Sequence, residues 1–575
     1  MKLNESQLKA VHSTAPRILC VSGAGSGKTR VYVNRIMRMI RGGIDPRSII
    51  AVTFTNAAAK EIQTRLGESI HLGFVGTLHG LCLRLLQQHG HLIGLAAKLT
   101  VLDDEETEAL LTKVMADLSY KGTRKAVDAA VAKGLAFYRS GHWMASEHYD
   151  AERVAWEFYY RMVTGGNVTF DCILSLGLEL LLNMATTTLG QYEHLRRFEH
   201  VLVDEYQDAN ALDAAIYDAL PVKTRFFVGD IRQSIYKFRG SDIRVIQAEN
   251  NRPGTTVLEL AENYRSSQSV VDAANSLMAD HPPMIAAKTE LDGAVIIRSF
   301  DTAAEEAAAV AADIKAELAS ALPPSPAYPW GAKSALPNEI AVILRTNRLV
   351  NEYRTVLEAH GIPVRKRPPQ DNPLDWKIAR AFIAMLTNPE NDRLAHKFLT
   401  LKLGAEKADA MEREATADFN TINQQFLHIR SVALADVTTA MAAASLGRES
   451  IARVRGLIET MPADSTLLEL QAAIATMEAE AQEETEGVTV RTAHSAKGLQ
   501  WECVWLPAFE EGIIPSQREL DEDGGAEAKR LAYVAITRAK RLLVISHAGQ
   551  RPFEWKGVQK QQPSRFIEMT TKGTI

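Results

Sequence analysis

The sequence predicts an α/β protein built on parallel sheets, and three features support this prediction. Short apolar runs rich in β-branched residues alternate with amphipathic helical stretches, which is typical of parallel α/β sheets. A glycine-rich loop follows the first run at residues 22–29, and a later run ends in the acidic pair Asp204-Glu205. The predicted strands are residues 17–21, 49–54, 200–204, 225–228, 257–260, 295–298, 340–345, 488–492, 503–506 and 542–546.

Two regions interrupt this alternation and are predicted to be helical insertions. Residues 91–196 are expected to be mostly helical, and residues 390–486 are rich in Ala, Glu and Leu without clear strands. The first region contains an aromatic cluster of Trp156, Phe158, Tyr159 and Tyr160. We interpret this cluster as core of the insertion rather than as a platform for nucleic-acid bases.

The composition excludes membrane-spanning and disulfide-rich classes of protein. With 575 residues, 46% of them hydrophobic, the chain is predicted to divide into several domains. No apolar run reaches the roughly 18 residues that span a bilayer, and the N-terminus lacks the apolar core of a signal peptide. The four cysteines lie far apart, which argues against a zinc or iron–sulfur site. We therefore expect a soluble, cytoplasmic protein without a membrane partner.

The glycine-rich loop is the strongest functional signal in the sequence. It reads Ser22-Gly23-Ala24-Gly25-Ser26-Gly27-Lys28-Thr29, between a predicted strand and a predicted helix. Glycines let the backbone curl so that its N–H groups face phosphate oxygens, and the helix N-terminus adds positive potential. We expect Lys28 to reach the β- and γ-phosphates of ATP and the Thr29 hydroxyl to hold Mg²⁺. Ser22 stands where the strict pattern has glycine.

Charged residues downstream of this loop suggest the rest of a phosphoryl-transfer site. Asp204 and Glu205 end an apolar strand, which places them at the edge of a parallel sheet where ligands bind. Asp204 is expected to complete the Mg²⁺ site and Glu205 to deprotonate the attacking water. Arg265 and Arg538 are candidates for stabilising charge on the γ-phosphate. In isolation, each arginine would be interpreted as a surface residue.

These residues belong to an ordered series of motifs that resembles the UvrD/Rep/PcrA family of superfamily 1 helicases. The series runs from residue 3 to residue 540 in the order of that family. Its members are similar to the Q motif (Leu3-Asn4-Glu5-Ser6-Gln7), motif I (23–29), motif Ia (Thr53-Phe54-Thr55-Asn56), motif Ib (Gly76-Thr77-Leu78-His79), motif II (203–208), motif III (228–240), motif IV (Asn263-Tyr264-Arg265-Ser266), motif V (492–499) and motif VI (533–539).

The resemblance implies two RecA-like motor domains with ATP between them, each carrying a mostly helical insertion. We expect the first motor domain at residues 1–90 and 197–268, with its insertion at 91–196. The second is expected at residues 269–389 and 487–575, with its insertion at 390–486. That second insertion is shorter than in relatives such as UvrD, so duplex engagement follows less directly from the resemblance than translocation does.

The resemblance also assigns roles in the nucleotide site. Gln233 would report the presence of the γ-phosphate to the DNA site. The remaining positions are Gln7 (recognition of adenine), Tyr264 (stacking on adenine), Arg265 (contact with the γ-phosphate), Arg538 (an arginine finger from the second domain) and Gln500 (contact with ribose, where the family has Glu).

Contacts with single-stranded DNA follow from the same resemblance. Phe54, Tyr236 and Phe238 match the aromatic residues on which bases stack, although Phe54 also ends an apolar run and fits a strand core. The positions that match strand contacts are Asn56, Thr77, His79, Arg239 and His494. Ala57 and Leu78 depart from the usual Lys and Phe of motifs Ia and Ib.

The resemblance implies an ATP-dependent DNA helicase that moves 3′→5′ on single-stranded DNA and unwinds duplex at junctions, in repair, replication or recombination. One alternative is a translocase that displaces bound proteins and unwinds little. A second is a P-loop kinase or another NTPase that acts without DNA. A third is a non-catalytic DNA-binding subunit, which the intact Lys28, Asp204, Glu205 and Arg538 disfavour. Protein partners are not predicted.

Overall fold

The computed structural model describes two parallel sheets with helical layers around them. It covers residues 3–67, 69–96, 98–135, 144, 149–186, 197–237, 240–287, 293–319, 335–365, 373–387, 392–403, 436–461, 465–477, 486–553 and 557–571. All ten predicted strands are present, with ends shifted by a few residues. The predicted α/β class is therefore confirmed.

The first sheet is entirely parallel, with strand order β3-β2-β6-β7-β1-β8. Its strands are β1 (Arg17–Ser22), β2 (Ile49–Thr53), β3 (Phe74–Thr77), β6 (His200–Val203), β7 (Thr224–Gly229) and β8 (Thr256–Leu260). Strands β2 and β6 are buried along their whole length, as expected for strands covered on both faces. The carboxyl ends of β1, β6 and β7 meet at one edge because these strands are neighbours.

Helices cover both faces of this sheet. They are α1 (Glu5–His12), α2 (Lys28–Arg41), α3 (Asn56–Leu66), α4 (Leu78–His89), α9 (Ala211–Ala219) and α10 (Ile243–Asn250). Local sequence fixes where they begin. Thr55 and Thr77 cap α3 and α4, accepting hydrogen bonds from the backbone N–H groups of Ala58 and Gly80. Both caps follow directly from strands β2 and β3, so these two helices start at the same sheet edge.

The second sheet has the order β11-β15-β14-β12-β13, all parallel, with β16 antiparallel to the far end of β15. Its strands are β11 (Ala294–Thr302), β12 (Ile340–Leu344), β13 (Thr489–Thr492), β14 (Trp501–Leu506), β15 (Ala539–Phe553) and β16 (Gly557–Lys560). The short strands β9 (Glu262–Asn263) and β10 (Ile285–Ala286) form a separate parallel pair. The helices of this half are α11 (Gln268–Leu277), α12 (Ala303–Ala319), α13 (Asn347–Ala359), α19 (Gln517–Asp523), α20 (Ala526–Ile536) and α21 (Arg565–Thr571).

The first insertion is helical and shares its core with the first sheet. It contains α5 (Asp104–Asp117), α6 (Arg124–Val131), α7 (Tyr149–Thr164), α8 (Phe170–Thr186) and the small parallel pair β4 (Thr100–Leu102) and β5 (Asn167–Thr169). Leu19 and Val52 of the sheet and Val154 and Ile173 of the insertion belong to one continuous apolar cluster.

The aromatic cluster of this insertion is only partly core. Phe158 and Tyr159 are buried, as predicted. Tyr160 is 52% exposed and stacks in parallel on the half-buried Trp156, with 5.1 Å between ring centroids. The core interpretation is therefore wrong for Tyr160, because α7 turns that side chain away from the cluster that buries its two neighbours.

The second insertion has a core of its own. Its helices are α14 (Pro373–Thr387), α15 (Asp392–Leu403), α16 (Val437–Ala443), α17 (Arg448–Thr460) and α18 (Leu467–Met477). Phe382 of α14 packs with Phe398, Met441 and Leu470 of the later helices. Helix α14 therefore packs with the helices of residues 392–477. The predicted boundary between residues 389 and 390 instead assigns α14 to the second RecA-like domain. The amphipathic pattern of α14 identifies a helix but not the side on which it packs.

Side chains of the second insertion bond to the first sheet domain and the first insertion. We call this set the insertion contact. It comprises Arg84 of α4 with Glu469 (Nε to Oε1, 3.0 Å), Gln471 with the Val101 carbonyl oxygen (2.7 Å), and Lys397 with Asp103 (2.8 Å) and Glu106 (2.9 Å). The Arg84 and Glu469 side chains are 14% and 7% exposed, so solvent screens their attraction little.

Replacing Glu469 with alanine is expected to loosen α18, because the helix would lose its ion pair with the largely buried Arg84 side chain. Truncating one partner of such a pair costs about 2–5 kcal/mol. Hydrogen exchange of residues 467–477 should accelerate. Glu511→Ala is the matched control, since it removes the more exposed pair with Arg565 and should leave this exchange unchanged. Equal protection of α18 in both variants would contradict the prediction.

All four cysteines of the chain lie in described residues. Cys20, Cys82, Cys172 and Cys503 are all buried, and none of them forms a disulfide within the described residues. Within the described part of the chain, every helix is too short or too polar to cross a bilayer.

Candidate active site

The glycine-rich loop leaves β1 at Ser22 and enters α2 at Lys28. Gly25 and Gly27 have φ angles of 68° and 81°, a left-handed region that other residues rarely adopt. A Cβ atom on Gly25 would also lie 2.6 Å from Cβ of Arg265. Ser22 fits despite its departure from the strict pattern, because its hydroxyl donates to the Gly229 carbonyl oxygen over 3.0 Å. The loop therefore has the tight curl that phosphate binding requires.

Lys28 faces the acidic pair at the end of β6. Its Nζ lies 3.2 Å from Oε2 of Glu205. Burial opposes the charge on Lys28, but the carboxylates of Glu205, Asp230 and Asp204 outweigh it and raise the pKa of Lys28. Glu205 has a backbone φ of 53°, a strained value for a residue with a side chain. The structure thus brings the predicted phosphate-binding cation and the predicted base together.

The pKa values of Asp204 and Glu205 shift in opposite directions, although both side chains are carboxylic acids. Burial, and then the charge of Glu205, raise the pKa of Asp204. Burial also acts on Glu205, but the ammonium groups of Lys28 and Lys497 outweigh it and lower the pKa of Glu205. Glu205 is therefore ionised at neutral pH, as a general base must be.

The two candidate arginines lie next to each other, and in the part of the chain that the structure describes neither binds a carboxylate. Arg265 donates to the Thr537 carbonyl oxygen over 3.1 Å, and its buried Nε has no hydrogen-bond partner among the described residues. Arg538 is 1% exposed, and its bonds end on uncharged oxygens of Val534, Leu499 and Thr537. Burial and the neighbouring Arg265 charge lower the pKa of Arg538 to about 9.

These arginines form a site that fits an anion. A buried cation without a counter-charge is costly unless a ligand supplies one. Arg265 lies directly against Gly25 of the loop, and the charges of Arg265 and Glu205 both act on Arg538. The buried Ser26 hydroxyl of the loop also has no hydrogen-bond partner among the described residues. A phosphate group would satisfy these atoms.

Helix α1 and β9 support the loop from the first half of the chain. Gln7 is buried, and its Nε2 donates to the Ser26 carbonyl oxygen over 3.0 Å. The Tyr264 backbone N–H donates to the Gly25 carbonyl oxygen, and its hydroxyl accepts from Nδ2 of Asn4. Gln7 and Tyr264 are thus brought to the loop. Their contacts with adenine remain predictions.

Gln233 lies in a network that joins the two halves. Its side-chain Nε2 donates to Oδ2 of Asp230, and its backbone carbonyl oxygen accepts from Nζ of Lys497 over 2.8 Å. Lys497, from the segment after β13, also binds both carboxylate oxygens of Asp208 at 2.8 and 2.5 Å. Gln500 is exposed and lies between Leu499 and Trp501, both of which bond to Arg538.

Two of the predicted stacking residues form a pair. Phe54 is 40% exposed, which rules out the alternative that it is strand core. Its ring is parallel to that of Tyr236 within 6°, with 5.4 Å between centroids. Nζ of Lys497 lies 4.6 Å from the Tyr236 ring, so the same lysine contacts the aromatic pair and Gln233. Phe238 and Arg239 lie outside the described residues.

The remaining candidate DNA contacts are more dispersed. Asn56 begins α3 and Thr77 caps α4, at the edge formed by the paired strand ends Thr53 and Thr77. His79 stacks on Phe170 of the first insertion at 4.0 Å, and burial lowers the pKa of His79 to about 4, so it is uncharged at neutral pH. His494 is half-buried in the turn after β13. Their contacts with DNA remain predictions.

Comparison with known proteins decides the family. Residues 3–253 match the UvrD/REP helicase N-terminal domain, and residues 258–367 and 381–550 match the UvrD-like helicase C-terminal domain. DNA helicase II of Salmonella typhimurium is 30% identical over 98% of this chain and 87% of that protein. The chain belongs to the UvrD/Rep helicase family.

Other members of the UvrD/Rep helicase family match over similar lengths. The ATP-dependent DNA helicase Rep of Escherichia coli is 27% identical over 99% of this chain and 94% of that protein. The ATP-dependent DNA helicase PcrA of Leuconostoc citreum is 27% identical over 98% and 84%. The predicted family and enzyme class, an ATP-dependent DNA helicase, are confirmed.

The sequence prediction missed several residues of this UvrD/Rep helicase site. Asp230, Lys497 and Tyr533 lie inside motifs III, V and VI, but spacing alone gave no reason to assign them roles. Asn263 donates to the Ala24 carbonyl oxygen over 2.7 Å, and it too lies in a recognised motif. Met284 packs against Gly23 from a segment that carries no recognisable motif.

Proposed function

We propose that this chain uses ATP and Mg²⁺ to move 3′→5′ along single-stranded DNA and to open duplex at single-strand/duplex junctions, in repair, replication or recombination. The observation that carries the proposal is the pair Arg265 and Arg538, two arginines that bind no carboxylate among the described residues. They come from the two halves of the chain and meet beside one phosphate-binding loop. The direction of movement rests on the family resemblance.

In the proposed reaction, the water oxygen attacks the γ-phosphorus and gives its proton to Glu205, and the bond to the β–γ bridging oxygen breaks. Lys28 binds the β- and γ-phosphates. Arg265 and Arg538 stabilise the charge that develops on the γ-phosphoryl group. Loss of the γ-phosphate removes the anion between the two arginines, which weakens the hold of one half on the other.

The proposed metal ligands are the Thr29 hydroxyl and the Asp204 carboxylate. Mg²⁺ suits such a sparse oxygen set, because it keeps several waters and takes one or two carboxylates together with substrate phosphates. When bound, the ion supplies positive charge to the β- and γ-phosphate oxygens. Asp204 must be deprotonated to bind it, and its raised pKa makes this residue more sensitive to acid than Glu205.

We also propose a domain division that follows the predicted one with a single change. Residues 1–90 and 197–268 form the first RecA-like domain, and residues 91–196 form its insertion. The second RecA-like domain takes residues 269–365 and 487–575. Its insertion begins with α14 rather than at residue 390, because α14 packs in the core of the insertion.

The decisive test is ATPase rate with and without single-stranded DNA, paired with unwinding of duplexes that carry a 3′ or a 5′ tail. We expect DNA to stimulate turnover and only the 3′-tailed duplex to be opened. Turnover without unwinding, accompanied by removal of a protein bound to the strand, would support the translocase alternative. Turnover that ignores DNA would contradict the proposal.

Replacing Tyr236 with alanine is expected to weaken single-stranded DNA binding about tenfold. Stacking of a base on an aromatic ring contributes about 1–3 kcal/mol, and the substitution also leaves Phe54 without its stacked partner. Fluorescence anisotropy with a labelled oligonucleotide measures the affinity.

The control is Tyr160→Ala on the first insertion. Tyr160 is likewise a stacked tyrosine, although it is more exposed than the half-buried Tyr236, and the sequence analysis does not assign it to DNA. We expect this variant to bind DNA as the wild type does. Normal binding by Tyr236→Ala together with weakened binding by Tyr160→Ala would indicate that bases stack on the first insertion instead of on Tyr236.

A further inference from the structure

Tyr533 is a fully buried residue of α20 whose hydroxyl reaches the phosphate-binding loop of the other half of the chain. The hydroxyl accepts the backbone N–H of Ala24 at 3.3 Å. It also lies 3.3 Å from Oδ2 of Asp230 and 3.3 Å from Sδ of Met284. One hydroxyl thus joins the loop that binds phosphate to the segment after β7.

The acceptor of this hydroxyl is already part of the nucleotide site. Asp230 is fully buried, and its Oδ2 also accepts from Nε2 of Gln233 at 2.8 Å. Its other oxygen accepts from the backbone N–H and the Nε of Arg232. The Arg232 guanidinium lies 5.3 Å from the centre of the Tyr533 ring. Asp230 therefore contacts the hydroxyl of Tyr533, and Arg232 contacts its ring.

The backbone connects Tyr533 rigidly to Arg538. Helix α20 ends one residue before Thr537, whose backbone N–H and hydroxyl both bond to the Tyr533 carbonyl oxygen. Arg538 in turn donates to the Val534 carbonyl oxygen over 2.8 Å. The Arg538 guanidinium is thus bonded to the same end of α20 that Tyr533 attaches to the loop.

We propose that Tyr533 is a positioning residue: its hydroxyl fixes the end of α20 against the phosphate-binding loop and thereby places Arg538 for ATP hydrolysis. This inference rests on the proposed function. Tyr533 touches backbone and protein side chains rather than the reacting atoms, so it acts through Arg538. Small displacements of a group that stabilises the transition state reduce its effect strongly.

The test is Tyr533→Phe in the full chain, which removes the hydroxyl and keeps the ring and its packing. We expect kcat of the DNA-stimulated ATPase to fall about tenfold, with KM for ATP within about twofold of the wild type, because the hydroxyl orients a group needed in the transition state. Tyr353→Phe is the matched control. It also deletes a buried hydroxyl, bonded to Glu306 in the second half and far from the loop in sequence.

A double-mutant cycle with Arg538→Lys separates positioning from a merely structural role. If Tyr533 acts through Arg538, adding Tyr533→Phe to Arg538→Lys should lower kcat little further. Multiplicative losses would overturn the inference, as would an unchanged kcat in Tyr533→Phe or an equal loss in Tyr353→Phe. A wild-type chain without DNA-stimulated turnover would overturn the proposed function itself. A normal wild type with an unaffected Tyr533→Phe overturns only this inference.

Discussion

Replacing Arg538 with methionine is expected to lower DNA-stimulated ATP turnover by about 10³–10⁵-fold, because an arginine finger contributes a factor of that size to kcat. The same substitution should destabilise the fold little. Arg538 is buried with no bond to a carboxylate among the described residues, so methionine removes a charge that the free protein holds unfavourably. Steady-state ATPase assays and thermal melting without nucleotide measure the two effects.

Arg551→Met provides the matched control, because it replaces an equally buried arginine. Arg551 is 1% exposed and binds the carboxylates of Glu306 and Glu510. Its loss leaves two buried acids without a counter-charge and should cost about 3–5 kcal/mol of unfolding free energy. We expect turnover within a few-fold of wild type below its melting temperature. The reverse pattern, with Arg538→Met unstable but active, would contradict the assignment of Arg538 to the γ-phosphate.

Replacing Glu205 with glutamine is expected to slow hydrolysis by about 10²–10⁴-fold while ATP still binds, since the variant loses the base but keeps the shape. The glutamine carbonyl oxygen can still accept from Lys28, which lies 3.2 Å from Oε2 of the native carboxylate. Equilibrium binding of a fluorescent ATP analogue and single-turnover hydrolysis measure the two steps separately.

The lowered pKa of Glu205 adds a prediction about pH. A carboxylate with a lowered pKa stays ionised as pH falls, until the solution reaches that lowered value. Protonation of Glu205 should therefore not reduce kcat near neutral pH.

The control for Glu205→Gln is Glu511→Gln, which removes one carboxylate from the surface pair with Arg565. Near-normal turnover in Glu205→Gln would mean that another group accepts the proton.

Local sequence was sufficient for the strands and for the chemistry at their ends. The loop from Ser22 to Thr29 and the pair Asp204-Glu205 could be placed because short apolar runs precede them directly. Parallel strands bring such ends to one edge whatever the intervening chain does. The α/β class and the meeting of Lys28 with Glu205 follow from that geometry, whereas the family was predicted from the resemblance of the ordered motifs.

Features that depend on packing between distant segments could not be predicted in the same way. Helix α14 has an amphipathic pattern that fits either neighbour, and only its contacts with later helices assign it to the insertion. Tyr160 lies beside two buried aromatic residues in sequence yet faces solvent. The partners of Tyr533 come from segments about 300 and 500 residues away along the chain, which no local periodicity encodes.

The insertion contact joins the two halves of the chain at a second place, away from the nucleotide site. The nucleotide cleft and the bonds of Arg84, Val101, Asp103 and Glu106 to the second insertion link the same two halves of the chain at separate places. A movement of one half relative to the other must therefore either keep these bonds or break them, so the free energy of the ion pairs opposes any separation of the two halves at this place.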